Sequence, residues 1–313
     1  MPTKLPVALF NYQGGGRRPD GSYDFDKLRL AFDNVPDGEA PVAILINEAK
    51  GWKANGNSML HMAVNALADK LRRPYVGEIG CGIRGDATTP ALIYDPQVLR
   101  LDYWGNSTAA NNDQQNVAKM HVRGQSAAKF RAVIKHLHPN DGALRVAEAH
   151  ETKAFISGMP TLLAGDLNNS ASGPHTDMDW TRAPELLRMS KAILLPDGTY
   201  KADTLAMDLM LGDWDPATMR RTGRVEALGR RAIGWHALAE IAYQQGMPAA
   251  EAFQPTVNRS AQEGGGLLID WMLVNNAWAE GLVPGTYHVH VPGGTDPSMH
   301  PSDHRLVTAT LEI

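Results

Sequence analysis

The 313-residue sequence holds a single cysteine, Cys81. A lone thiol excludes an internal disulfide framework and every cysteine-based zinc pattern. Long apolar runs are also missing. The stretch from Met1 to Phe10 is too short for the core of a signal peptide, and no segment reaches membrane length. The expectation is a cytoplasmic protein with no membrane partner. Positive charge is not in excess either: Lys and Arg number 30 against 34 Asp and Glu, a formal charge of -4. No global field gathers a polyanion, so a nucleic-acid ligand would need a local basic patch or metal ions. No repeat, low-complexity tract or linker divides the chain. What remains is 43% hydrophobic and 20% charged, the composition of a globular protein with ample core.

The most informative stretch runs from Met159 to Asn168. Thr161 to Ala164 is a short apolar run bounded by Pro160 and Gly165, the pattern of a buried strand. Asp166 and Asn168 follow two apart, and in extended backbone residues i and i+2 share a side. A carboxylate and a carboxamide would then sit together at the mouth of a strand. The same residues also suit a strand end closed by an Asx turn.

Other strand ends repeat this theme. Pro6–Phe10 is a strand delivering Asn11, and Pro41–Asn47 is a near-continuous apolar run delivering Glu48. Phe130–Leu137 ends in His136, Leu137 and His138. Asp270 stands within the apolar run Leu267–Leu273, and Ser302, Asp303 and His304 precede the last strand, Leu306–Ile313. Helices are expected over Phe25–Phe32, Asn57–Leu71 and Arg145–Ile156, and further strands over Tyr75–Ile83 and Ala91–Tyr94. Gly105–Gln115 is a polar, Asn-rich loop. Gly14, Gly15 and Gly16 fit neither a Walker loop nor a dinucleotide fingerprint and are expected as a mobile loop. The pattern near 176–250 turns helical, a mostly helical insertion in one domain covering 1–313.

Carboxylates, carboxamides and histidines on separate strand ends, without a thiolate, favour Mg²⁺, with Mn²⁺ as the alternative, over zinc. Mg²⁺ uses few carboxylates plus substrate phosphate oxygens, so the set implies a phosphate substrate. Histidines beside carboxylates suit proton transfer or stabilisation of charge on phosphorus. His136 and His138 alternate to the same side, so the residues alone leave the choice open.

In this order, Asn11, Glu48, His136-Leu137, Gly165-Asp166-Leu167-Asn168, Ile269-Asp270-Trp271 and Ser302-Asp303-His304 resemble the motifs of the endonuclease/exonuclease/phosphatase superfamily, the fold of pancreatic-type deoxyribonucleases. Arg145 with Glu148-Ala149, and Pro255-Thr256, agree with it. The resemblance implies an α+β four-layer sandwich of two packed mixed sheets flanked by helices. It implies Glu48 as the main Mg²⁺ ligand, with Asn11 and Asp303 beside the metal. It gives Asp166 the attacking water, Asn168 a bond to the scissile phosphate, His304 a phosphate contact while held by Asp270, and His136 a place at the transition state. Leucine directly after the histidine selects His136 over His138.

Two specificities weaken. No Asn-x-Tyr segment lies between Trp104 and Phe130, against an abasic-site endonuclease. The approach to Asp270 is Gly264-Gly-Gly-Leu-Leu-Ile, unlike an inositol-lipid 5-phosphatase. A nuclease or general phosphodiesterase remains, with nucleic acid as its substrate. The alternatives are a phosphomonoesterase, a phospholipid-headgroup phosphodiesterase, or an inactive binding scaffold. Arg17 and Arg84 on loops, and Arg220 and Arg224 on a predicted helix face with Arg231, are candidate phosphate contacts.

Overall fold

The computed structural model of the protein describes residues 2–36, 38–105, 116–125, 127–175, 178–293 and 299–313. The first strands in chain order are β1 (Lys4–Asn11), β2 (Ala43–Asn47), β3 (Val76–Ile79) and β4 (Ala91–Tyr94). Then come β5 (Leu99–Trp104), β6 (Val117–Val122), β7 (Lys129–His136) and β8 (Thr161–Asp166). Three small hairpins follow: β9 (Ala192–Leu194) with β10 (Tyr200–Ala202), β11 (Trp214–Asp215) with β12 (Arg220–Arg221), and β13 (Arg224–Val225) with β14 (Arg230–Arg231). β15 (His236–Ala237), β16 (Asp270–Val274), β17 (His288–His290) and β18 (Leu306–Glu312) complete the set.

Two six-stranded sheets result, ordered β17-β18-β1-β2-β4-β3 and β15-β16-β8-β7-β6-β5. Each contains one parallel pair, β1 with β2 and β7 with β8. Each parallel pair has an antiparallel neighbour, β18 beside β1 and β16 beside β8. Strands running out and strands running in meet at one edge. The exits of β1, β2, β7 and β8 therefore share their edges with the entries of β16 and β18.

Period-2 alternation sets the layers. Leu5, Val7, Leu9 and Leu45 of the first sheet pack between the sheets against Phe130, Ile134, Leu162, Ala164, Met272 and Val274 of the second. The outward partners of the first sheet, Ala8, Phe10, Ile44 and Ile46, pack with α1 (Phe25–Leu30) and α2 (Ala54–Leu71). Those of the second, Val133, Leu163, Trp271 and Leu273, pack in a third cluster that holds Ala149 and Met207. These belong to α3 (Gly142–Glu151) and, after α4 (Glu185–Lys191), to α5 (Leu205–Leu211). The layers run helix, sheet, sheet, helix, the expected four-layer sandwich. Each fully buried large aliphatic side chain contributes about 1.5–3 kcal/mol. α6 (Leu238–Gln244) and α7 (Ala249–Ala252) send Leu238 and Ala252 into the inter-sheet cluster. Among the described residues no helix is long and apolar enough to cross a membrane.

Several expectations need correction. The stretch near 176–250 is not mostly helical. Its helices are short, and the three hairpins lie between them. Pro196-Asp197-Gly198 carries turn chemistry that outweighs the helical spacing around it, and Gly223 and Gly229 adopt positive φ. β5 and β6 are strands where none was expected. Of the Gly105–Gln115 loop, residues 106–115 lie outside the described residues. The segment Gly14–Gly16 is part of a tight turn packed on its neighbours: a Cβ at Gly15 would stand 2.8 Å from the Lys50 backbone.

Candidate active site

The alternation that builds the core also builds the site. Leu5, Val7 and Leu9 face the opposite sheet, and Asn11 takes the next position in that series. Likewise Leu45 is followed by Asn47, Ile134 by His136 and Ala164 by Asp166. Asp270 precedes Met272 by the same step. One parity thus places five polar groups between the sheets, just beyond the last apolar layer. All five are buried, where an unpartnered polar group is costly, so their partners decide what they do.

Asp166 is the hub. Its Oδ2 accepts a hydrogen bond from Asn11 Nδ2 at 3.0 Å, which joins the two sheets directly. His136 Nε2 stands 3.6 Å and His304 Nε2 3.8 Å from the same oxygen. Both distances exceed hydrogen-bond length, so the ring nitrogens and the carboxylate face a common space without closing it. Asp166 Oδ1 accepts from the Asn168 backbone N–H at 2.8 Å. Burial alone would push the Asp166 carboxyl up, but His304, His136 and Lys191 outweigh it and hold the group below its ordinary range, as a carboxylate.

His304 is clamped from behind. Its Nδ1 lies 2.7 Å from Asp270 Oδ2, and the Asp270 backbone N–H donates to Thr256 Oγ1 at 2.9 Å. Burial pulls the His304 ring down, yet Asp270 and Asp166 overcome that and raise it to about 10. The two carboxylates thus favour the charged ring at neutral pH, with Nδ1 donating to Asp270 and Nε2 3.4 Å from Asn11 Nδ2. His136 is the opposite case: burial pulls it down further than Asp166 and Glu48 lift it. His138 turns away, its Nδ1 accepting from the Asp141 N–H at 3.0 Å, so the structure brings His136 to the cluster.

Gly165 has a specific reason. β7 and β8 run parallel with Lys135 opposite Gly165, and a Cβ at Gly165 would stand 1.7 Å from the Lys135 carbonyl oxygen. Beyond Asp166 the backbone does not stay extended as expected. Asn168 adopts φ 51°, and its Nδ2 donates to the Leu137 carbonyl at 3.0 Å, leaving one amide hydrogen of two. Lys191, from α4, donates to the Asn168 side-chain and backbone oxygens and to Pro139 O. Burial pulls this lysine down to about 7.

Glu48 leaves β2 with φ 59°, a conformation costly for a residue with a long side chain. Its Oε2 accepts from the Gly14 N–H at 2.8 Å, and its Oε1 lies 3.4 Å from Asn11 Nδ2. Asn47 was not among the expected residues. Its Oδ1 accepts from Asp166 N at 3.0 Å and its Nδ2 donates to Lys135 O at 3.1 Å, tying β2 to β7 and β8. Its signal in the sequence was its parity with Leu45. Asp303 sits at the rim, half-exposed, with Oδ1 4.0 Å from His304 Nε2.

The candidate phosphate contacts separate. Arg84 is committed to the scaffold: it pairs with Glu148 at 2.5 Å and donates to the His136 carbonyl oxygen, bracing the end of β7. Arg17 is exposed and lines a groove of about 430 Å³ beside Gln13, Ser302 and Asp303. Arg220 and Arg224 stand on the hairpins, not on a helix, and are not in the Asp166 cluster.

Two groups offer metal-binding chemistry. Asp166, Asp270 and His304 have ligand atoms within 4.8 Å of one another, although a proton already links His304 to Asp270. The other is Asn11 with Glu48. Asn11 Oδ1 is buried and has no hydrogen-bond partner, and Glu48 supplies a carboxylate beside it. A hard, oxygen-seeking cation fits this pair.

No family model and no curated protein matches the sequence. Solved structures do match, and the chain has the fold of the endonuclease/exonuclease/phosphatase proteins. ANGEL2, described as a 2′,3′-cyclic phosphatase in complex with adenosine-2′,3′-vanadate, aligns with a TM-score of 0.58 and 12% identity, over 100% of this chain and 96% of that one. An AP endonuclease from Archaeoglobus fulgidus aligns at 0.56 and 11%, over 99% and 100%. The 3′ phosphatase NExo from Neisseria, bound to a product DNA hairpin, aligns at 0.55 and 13%, over 99% and 100%. At such identities the likeness is one of fold, and the chemistry must come from the site.

Proposed function

We propose that the protein is a metal-dependent phosphodiesterase that hydrolyses nucleic-acid phosphodiester bonds. The observation that carries this is the Asp166 cluster: one carboxylate, one imidazolium and one neutral imidazole face a single space, with unspent hydrogen-bonding capacity on each. Solved structures sharing the fold include proteins described as a phosphatase and an endonuclease, which supports phosphoester chemistry.

Asp166, held ionised and oriented by Asn11, is placed to align a water and take its proton. The water oxygen bonds to phosphorus as the bond to the leaving oxygen breaks. His304, fixed by Asp270, donates to a phosphoryl oxygen as negative charge grows there, and His136 faces the same charge from the second sheet. The remaining amide hydrogen of Asn168 is available to the phosphate. Glu48 and Asn11 Oδ1, with Asp303 at the rim, would hold Mg²⁺, or Mn²⁺. When bound, that ion supplies charge neutralisation at the phosphate and the leaving oxygen. Arg17 lines the groove next to Asp303 and suits a flanking phosphate.

The test is hydrolysis of plasmid, duplex and single-stranded DNA, RNA, bis-p-nitrophenyl phosphate and p-nitrophenyl phosphate, with and without Mg²⁺. Cutting of diesters that needs the metal and disappears in His304→Ala supports the proposal. Turnover of the monoester alone would replace it with a phosphomonoesterase.

A further inference from the structure

We infer that the hairpins β11–β12 and β13–β14 form a docking surface for the sugar-phosphate backbone of a nucleic acid, outside the catalytic cluster. This rests on the phosphodiesterase reading and narrows its substrate to a polymer.

The register of β13 and β14 sets Arg224 directly opposite Arg231, and Val225 opposite Arg230. Like charges facing each other across an antiparallel pair destabilise it, and two-residue strands have few ladder bonds to set against that. Arg220 faces Asp215, but the Asp215 carboxylate is engaged by Ala217 N at 2.9 Å and Thr218 Oγ1 at 2.7 Å. Asp213 accepts from Glu226 N at 2.8 Å. Among the described residues, Arg220, Arg224, Arg230 and Arg231 have no ion-pair partner, and all four are exposed. Arg224, Arg230 and Arg231 border a concavity of about 560 Å³ floored by Gly223 and Gly229.

The fifth arginine explains how this arrangement is tolerated. Arg221 is rooted in the body of the protein, bonded to Glu240 Oε1 at 2.6 Å, Gly212 O at 2.7 Å, Ser172 O at 3.0 Å and Asp208 Oδ1 at 3.2 Å. The hairpins are thus fixed from beneath while four guanidiniums are displayed. On a chain of net charge -4, such a patch runs against the global charge. Planar guanidiniums match phosphodiester oxygens, and a polymer presents them at repeating spacing. Placement agrees as well: Ser172 follows Asp166 by six residues, roughly 20 Å at full extension. That length is the most that can separate Asp166 from the residue on which Arg221 is anchored, a span that a polymer of several nucleotides covers.

The experiment measures anisotropy of labelled single-stranded and duplex DNA, and of RNA, over graded salt. The protein is the full chain carrying Asp166→Asn, so that cutting is slow against the time of the measurement. Adding Arg224→Glu and Arg231→Glu is expected to weaken binding at least about tenfold and to lower the salt slope by about 2, one per lost phosphate contact. An Arg224→Gln/Arg231→Gln pair, which removes the mutual repulsion together with the two phosphate contacts, should fold with an unchanged or raised Tm and still weaken binding, with the salt slope lowered by about 2. With Asp166 intact, the same substitutions should leave bis-p-nitrophenyl phosphate hydrolysis unchanged. Unaltered oligonucleotide binding in both pairs would overturn the docking surface while intact diester hydrolysis kept the phosphodiesterase reading. Absence of diester hydrolysis in the parent would remove that reading instead. Binding to phosphatidylserine vesicles and to no oligonucleotide would assign the patch to an anionic membrane and overturn the inference.

Discussion

Two groups of buried charge flank the second sheet, and they are built in opposite ways. Around Arg221, each guanidinium nitrogen has a partner, shared among Glu240, Asp208, Ser172 and Gly212. Around Asp166, Asn11 Oδ1, His136 Nδ1 and Asp270 Oδ1 are buried without a partner, and both histidines stop short of the carboxylate. Buried polar groups in native proteins are nearly always satisfied. A knot that closes on itself contributes structure, whereas a knot left open holds capacity for something that arrives. The closure is that of the guanidinium itself: His175 Nδ1, on the ring paired with Glu240, is also buried without a partner. One open atom therefore does not mark a site, and it is the gathering of three around one carboxylate that distinguishes the Asp166 group.

Removing the hub tests this most severely. Asp166→Asn keeps the shape but removes the charge, and hydrolysis of a diester is expected to fall on the order of 10²–10⁴-fold, with Tm little changed. Activity within threefold of the parent would mean that the open knot is not catalytic. Arg221→Met should do the reverse. Removing one member of a buried charge group costs about 3–5 kcal/mol, read as a large fall in Tm or in the denaturant midpoint. Turnover of bis-p-nitrophenyl phosphate per folded molecule should stay within about twofold.

How far these two groups were legible in the sequence follows from their range. Asp166, Asp270, His136 and Asn11 were visible because each sits at a strand end in phase with the apolar residues before it. Asn47 has the same phase, yet as the last residue of the apolar run it is overshadowed by the carboxylate of Glu48 that follows it. Lys191 had no signal: its role comes from α4 folding back on Asn168, a contact local patterning does not encode. In the arginine run two signals conflict: Arg220, Arg224 and Arg231 fit helical spacing, while Gly223 and Gly229 between them adopt the positive φ of turns, and the turns win. β5 carries little strand signal because it is an edge strand, with mostly partly exposed residues and a bulge between Leu101 and Tyr103 that breaks the alternation.

The open knot should also respond to metal. Glu48→Gln is expected to shift the Mg²⁺ concentration for half-maximal hydrolysis upward by about 10–100-fold, while chelation of the parent abolishes turnover and leaves the protein folded. An unchanged titration in Glu48→Gln would move the ion to the Asp166, Asp270 and His304 group. Lys191→Met probes the border between the two regions. Loss of its bonds to Asn168 should lower kcat on the order of tenfold through a displaced turn, with KM for a small diester nearly constant; a change in KM alone would make Lys191 a binding residue.

The smallest effect expected is a pH slope that belongs to the closed knot. Burial pushes the Glu240 carboxyl up, but His175 and Arg221 outweigh it and hold it at about 2, against an ordinary 4.5. Between those values the unfolded chain binds the proton and the folded one does not. The stabilisation is therefore complete above about pH 4.5 and is lost as pH falls toward 2, at no more than about 1.4 kcal/mol per pH unit. Urea midpoints measured across this window should carry that slope in the parent. In Glu240→Gln, where the proton has no site, the slope should be shallower by that amount. Equal slopes in the two proteins would mean that Glu240 is not held ionised by Arg221, and the contrast between a closed and an open knot would lose its closed member.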